Sequence, residues 1–294
     1  MGQFHPQKAA ILAVPPMADP TPPSSPPPRA QAPGPGARRL SVGHLRVGLR
    51  LAAQGPMVGV SVALALVTSL GLAAQAFALA RAARVTALSH LPAASAGLLV
   101  WGAGVLLAFA AASHALRRDR DEGIVHLFEA RGAGAAYLRA RVLGLAALLF
   151  VVLGGGVLVV GVASMAAAQR YEAAGLAFAS TCGSLLYAFA SSVTVAVVAF
   201  AALGARTRGG GYLRLLVALS LPEVFAYFLS SSVSASWVEL LSIPSALAAL
   251  RLSLAPGEVD LPRFLRAFAV LLAVCAVAWG VARRELSLVT EDSL

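Results

Sequence analysis

Apolar residues in this chain come in long unbroken blocks separated by short polar segments, and those blocks set the first expectation. Six of them fall at residues 55–79, 94–116, 142–164, 179–203, 215–233 and 264–282. Each is long enough to cross a hydrocarbon core of about 30 Å at about 1.5 Å per helical residue. Small residues recur inside them, as at Gly154-Gly155-Gly156 and Ser191-Ser192, which lets helices approach closely in a packed bundle. The pattern predicts an all-α integral membrane protein with six transmembrane helices over residues 41–288.

The polar segments predict the rest of the layout. Residues 1–40 are rich in Pro, Ser, Ala and Gly, bury too little to order themselves, and read as a disordered leader. Residues 289–294 form a short tail. Between the fifth and sixth blocks, residues 236–254 are apolar but short, are interrupted at Pro244, and carry Glu239 and Arg251. A re-entrant or interfacial hairpin on the outer side fits them, with Trp237 at headgroup level.

Composition sharpens the membrane reading. The chain has 294 residues, of which 59% are apolar and 12% charged, and its mean hydropathy is +0.79. A soluble domain carries roughly 25% charge. The formal charge of +10 does not point to nucleic acid, because the arginines cluster beside apolar spans instead of forming a stripe with exposed aromatics. With the N-terminus placed in the cytoplasm, 17 of the 23 basic residues fall on the cytoplasmic side. The expectation is therefore a multi-pass protein of the plasma (cytoplasmic, inner) membrane, surrounded by membrane lipids, with both termini cytoplasmic.

The longest polar interruption is residues 117–141, between the second and third blocks. It holds six arginines and four of the 13 acidic residues. Each ionised side chain at the bilayer centre costs about 2.5 kcal/mol or more, so the segment belongs at a membrane face. From Asp121 to Tyr137 it has the pattern of a short amphipathic helix, with Ile124, Val125, Leu127 and Phe128 on one side, followed by a broken piece at Gly132 to Gly134.

Signatures of enzymatic chemistry are missing. There is no HExxH, no GxSxG and no cluster of Cys and His, and the two cysteines lie inside apolar blocks as small apolar side chains. A phosphate-binding loop needs a Lys after its glycines, and the only Lys is Lys8 in the leader. Gly209-Gly210-Gly211 reads as a turn between the fourth and fifth spans. His126 and Glu129 share a helical face at i, i+3, with His114 nearby in sequence, but a solvated face explains them better than a metal site. No catalytic residue, metal or cofactor is expected. Glu223, following Pro222 inside the fifth block, is a candidate for lining a translocation path, with interfacial placement by a break at Pro222 as the equal alternative.

At the central stretch the chain resembles the membrane subunits of ATP-binding-cassette (ABC) transporters of the type-2 exporter class. Arg120-Asp121-Glu122-Gly123 corresponds to the family's polar motif between spans two and three. Ile124-Val125-His126-Leu127-Phe128 corresponds to the Leu-rich turn after it, and Tyr137 to Gly144 looks like the re-entry into span three. The family's Pro-x-Ser turn is replaced here by Ala130-Arg131-Gly132-Ala133-Gly134. Pro244-Ser245-Ala246-Leu247, Gly257 to Leu261, and a last span ending at Arg283-Arg284 are similar to the family's final third. The resemblance covers residues 45–288 in topology, but only these two patches in residues.

That resemblance implies a permease subunit of an ATP-driven transporter, an exporter in direction, which forms the translocation path. Hydrolysis would reside on a separate cytoplasmic ATPase subunit. The helix between spans two and three would be the coupling element, with Arg120, Asp121, Glu122, Gly123, Glu129 and Arg131 setting register and Leu127 and Phe128 supplying apolar contact. A second permease copy or a homologue would complete a dimer. The rival expectations are a secondary transporter and a non-transporting membrane assembly subunit.

Overall fold

The structure, a computed structural model, describes residues 42–130, 134–203, 208–229, 242–254 and 260–291. It is helical throughout, with no strand among the described residues. In chain order the helices are α1 (Val42–Ala52), α2 (Pro56–Arg81), α3 (Val85–Leu99), α4 (Val105–Asp121), α5 (Ile124–Ala130) and α6 (Gly134–Ala168). They continue with α7 (Ala174–Leu203), α8 (Arg208–Leu229), α9 (Ile243–Ser253) and α10 (Leu261–Glu291). A π-helical turn, Val100–Gly104, joins α3 to α4 without a break, so the two act as one long rod.

Five helical rods are long and apolar enough to cross a membrane: Pro56–Arg81, Val85–Asp119, Gly134–Tyr171, Ala174–Leu203 and Leu261–Arg284. The expected fifth block is present as α8, a 22-residue helix that carries Arg208, Arg214 and Glu223 and is not among those five. Several rods outrun their apolar blocks. The second begins at Val85 rather than near residue 94, because Thr86, Ser89, His90 and Pro92 lower the local hydropathy while leaving the backbone helical. Ser89 and Ser95 satisfy their hydroxyls on carbonyls one turn back, Thr86 O and Pro92 O, so polarity does not end the helix.

Two expectations are corrected here. Gly209 to Gly211 lies in the first turn of α8 and is not a turn between helices. Pro222 sits inside α8, which runs on to Leu229, so it marks no break. The freed carbonyl at such a proline is tolerated where neighbouring helices and side chains supply partners.

Packing is centred on α6 and α7. α2 and α3 lie against α6, α3 also packs on α7, and α8, α9 and α10 gather around the other part of α7. Side chains on α7 make this possible: Ser184, Ser191, Ser192 and Thr194 are buried and bond carbonyls four residues earlier, so small polar groups line close contacts without being orphaned. α2 and α10 remain largely uncovered, exposing Val60, Leu66, Val67, Leu70, Leu272 and Val277.

α1 was not anticipated as a helix. It lies along α6 at backbone contact, since a Cβ added to Gly144 would sit 2.4 Å from the Gly48 carbonyl carbon. Arg46 and Arg50 remain exposed while Gly48 is buried. The leader at 1–40, residues 131–133 with Arg131, the segment 204–207, residues 236–241 of the expected hairpin with Trp237 and Glu239, residues 255–259 and residues 292–294 lie outside the described residues.

Candidate functional site

The corner where α4, α5 and α6 meet carries most of the residues singled out above. α4 is polar in its last turn and ends because Gly123 adopts φ +65, a left-handed conformation that glycine reaches without strain. The chain then starts α5, seven residues long, ending at Ala130. The amphipathic helix is therefore shorter than residues 121–137: Tyr137 belongs to α6, which begins at Gly134.

Arg120 lies in the last turn of α4, and Asp121 is its final residue. Asp121 and Glu122 each pair with an arginine four residues earlier, Asp121 with Arg117 at 3.6 Å and Glu122 with Arg118 at 2.7 Å. Arg118 also donates to the Gln54 side chain, which ties this turn to the link after α1. All four charged partners are solvent-accessible, so each pair contributes only about 0.3–0.5 kcal/mol. They leave the turn polar outside without rigidly fixing it.

The rigidity comes from a group that sequence reasoning did not single out. Asp119, on the opposite side of α4, is fully buried. Its two carboxylate oxygens accept from Arg141 Nη2 and the Tyr137 hydroxyl, both on α6 and both buried. The Arg141 guanidinium lies over the Tyr137 ring, 5.5 Å from its centroid. Arg141 Nη1 is buried and has no hydrogen-bond partner among the described residues. Two charges removed from water hold together only with such geometry, and removing either one leaves the other uncompensated. The faint sequence signal was Tyr137 and Arg141 at i, i+4, one face of one helix.

α5 connects to this group. The Phe128 ring packs against Tyr137 with centroids 5.3 Å apart and planes at 37°. Val125 is buried, anchoring the inner side of α5, while Leu127 stays 61% exposed and Phe128 is partly exposed. α5 also touches α10. Glu129 lies on α5, and Arg131 falls outside the described residues. The corner thus presents an apolar tip, seated on a buried ion pair and rimmed by exposed charge.

Glu223 is not part of this corner. It sits on α8 with its side chain exposed, and its carboxylate accepts from the Ser242 and Ser245 hydroxyls, the latter at 3.0 Å. Ser242 caps α9, accepting from the Ser245 amide at 3.0 Å. The carboxylate therefore lies at the N-terminal end of a helix, where the backbone dipole favours negative charge. No group of three or more His, Cys, Asp or Glu side chains suited to a metal occurs among the described residues.

No protein family, curated protein or solved structure matches the chain.

Proposed function

We propose that this chain is the permease subunit of an ATP-driven ABC transporter, working as an exporter in the plasma membrane. In this reading α8 is the fifth of six spans and α10 the sixth, α9 is part of a re-entrant hairpin on the outer side, and both termini face the cytoplasm. A separate ATPase subunit docks at α5, and a second copy or a homologue completes the translocation path. The observation that carries the reading is the α5 corner. A short helix presents Leu127 and Phe128 outward while Phe128 rests on Tyr137, itself bonded to Asp119 beside Arg141. A push on α5 is thereby delivered to two spans at once, α4 and α6. The exposed apolar pair inside a charged rim has the anatomy of a docking surface.

The test replaces residues 121–131 with a neutral Gly/Ser linker and asks whether the co-purifying ATPase is lost. Retention of the ATPase would refute the coupling role and the transporter assignment with it. A second reading, a secondary transporter, draws on Glu223 at the start of α9, an ionisable group facing a half-length helix. Transport that persists without any ATPase would select it.

A further inference from the structure

Two tight turns meet at the end of the bundle opposite the α4–α6 corner, where the rod Val85–Asp119 begins. One turn, Ala82 to Arg84, joins α2 to α3, and the other, Gln169 to Ala173, joins α6 to α7. The Tyr171 hydroxyl donates to the Ala80 carbonyl and so ties the second turn to the end of α2. Each turn holds a non-glycine residue in the left-handed region, Ala83 at φ 51 and Glu172 at φ 56, a conformation that persists where the surroundings impose it. Beneath the turns Ala76, Leu88, Ala168, Ala173 and Ala177 belong to one buried cluster. The result is a fixed platform, and it presents Arg81, Arg84 and Arg170, all exposed.

The chain itself makes little use of these three guanidinium groups. The ion pairs among the described residues lie at the α4–α6 corner, and none involves Arg81, Arg84 or Arg170. Glu172, the one acid in the two turns, is exposed and pairs with none of them. Nor are the side chains needed to cap α2, whose last carbonyls already have amide partners: Ala78 O takes Ala82 N–H at 3.1 Å, Leu79 O takes Arg84 N–H at 3.0 Å, and Ala80 O takes Ala83 N–H at 3.1 Å. Arg81 also continues a face of α2. Ala63, Val67, Leu70, Ala74 and Phe77 precede it at steps of three and four, so they form one stripe with it. Every member of the stripe is exposed, while Ala65, Ser69 and Ala76 on the opposite side are buried. From Val67 to Phe77 the stripe runs about 15 Å, half of a hydrocarbon core of about 30 Å. Arg81 follows about 6 Å further on, at headgroup depth.

We infer that this face binds an anionic phospholipid, with an acyl chain along Val67 to Phe77 and its phosphate among Arg81, Arg84 and Arg170. The planar fork of donors on each guanidinium matches phosphate oxygens. A zwitterionic lipid would cover the stripe but bring no net counter-charge to three cations. A soluble anion would reach the arginines but gain nothing from the apolar stripe, whereas an anionic lipid satisfies both. Each arginine near an anionic membrane surface is worth about a fivefold preference, so the three together exceed tenfold. The inference rests on the membrane-crossing helices, and neither on the ATPase reading nor on which side this end faces.

The experiment reads the lipid beside α2 directly. The full chain, with Trp101, Trp237 and Trp279 replaced by Phe, receives a single indole through Phe77→Trp and is reconstituted in mixed vesicles of phosphatidylglycerol and phosphatidylcholine. One lipid or the other carries dibrominated chains, and quenching of the indole gives their relative occupancy at that spot. A preference for phosphatidylglycerol of at least about tenfold is expected. A control indole placed by Val151→Trp, on an exposed part of α6 remote from these turns, should show less than about a twofold preference. Replacing Arg81, Arg84 and Arg170 together by Gln should abolish the preference at position 77, and replacing them by Lys, which keeps the charge, should retain most of it. Equal quenching by the two lipids at position 77, a preference that survives the Gln variant, or the same preference at position 151 would overturn the inference. A loss as large in the Lys variant as in the Gln variant would overturn it as well, because charge would not be the cause. Loss of the preference on adding free glycerol phosphate would make the arginines a site for a soluble anion, and would also overturn it.

Discussion

Replacing Asp119 by Asn tests whether the buried ion pair is what holds the corner rigid. Asp119 is fully buried, Arg141 is 6% exposed, and Tyr137 donates to the same carboxylate. The substitution leaves the Arg141 guanidinium buried without a counter-charge, in addition to an Nη1 that has no partner among the described residues. Breaking such a pair from one side costs about 3–5 kcal/mol. At about 2–4 °C per kcal/mol for a chain of this size, the expected drop in melting temperature is on the order of 10 °C. The assay is thermal unfolding of the purified protein in a mild detergent, followed by intrinsic fluorescence. The double variant Asp119→Leu with Arg141→Met supplies the control. Replacing both charges by apolar groups of similar volume is expected to recover most of the loss, because the penalty comes from an uncompensated charge rather than a missing attraction. A single variant that melts within about 2 °C of the parent would refute the reasoning. So would a double variant no more stable than the single one.

Other expectations follow from the remaining contacts. Phe128→Ala should weaken association of the ATPase by about 1–3 kcal/mol, measured by titration of the purified subunit; full-strength binding would remove Phe128 from the interface. Glu122→Arg should uncouple hydrolysis from transport, read as ATPase activity retained while export falls. Gly144→Val should separate α1 from α6, because its Cβ meets the Gly48 backbone at 2.4 Å. Protease cleavage within residues 42–52 should then become fast, and an unchanged cleavage pattern would count against the contact. Glu223→Gln keeps hydrogen bonding to Ser242 and Ser245 but removes the charge. Reduced transport with normal expression is the outcome expected of a path-lining group, and unchanged transport would leave Glu223 a cap for α9.

By itself, the sequence determined the class of this molecule. Hydropathy is a sum over neighbouring residues, so long apolar blocks announce membrane-crossing helices whatever packs beside them, and five such rods are present. The short helix after Gly123 was legible for the same local reason: a glycine, then four apolar residues within a charged stretch. Helix ends were less legible. His90, Pro92 and the serines of α3 depress hydropathy without interrupting a backbone whose hydroxyls bond back onto it.

What only the tertiary structure decided is which polar groups meet. Asp119 looked like one charge among many in residues 117–141, yet it is the one turned inward, onto partners 18 and 22 positions away. Arg251 read as one charge in a short, interrupted apolar segment, and its neighbour at Gly97, 154 positions earlier in the numbering, was not legible from it. Glu223 read as a group beside a helix break and instead faces the cap of α9 across an unbroken α8. No periodicity encodes such meetings. They depend on the rotation and depth of whole helices, which are set by the summed packing of small residues on α6 and α7.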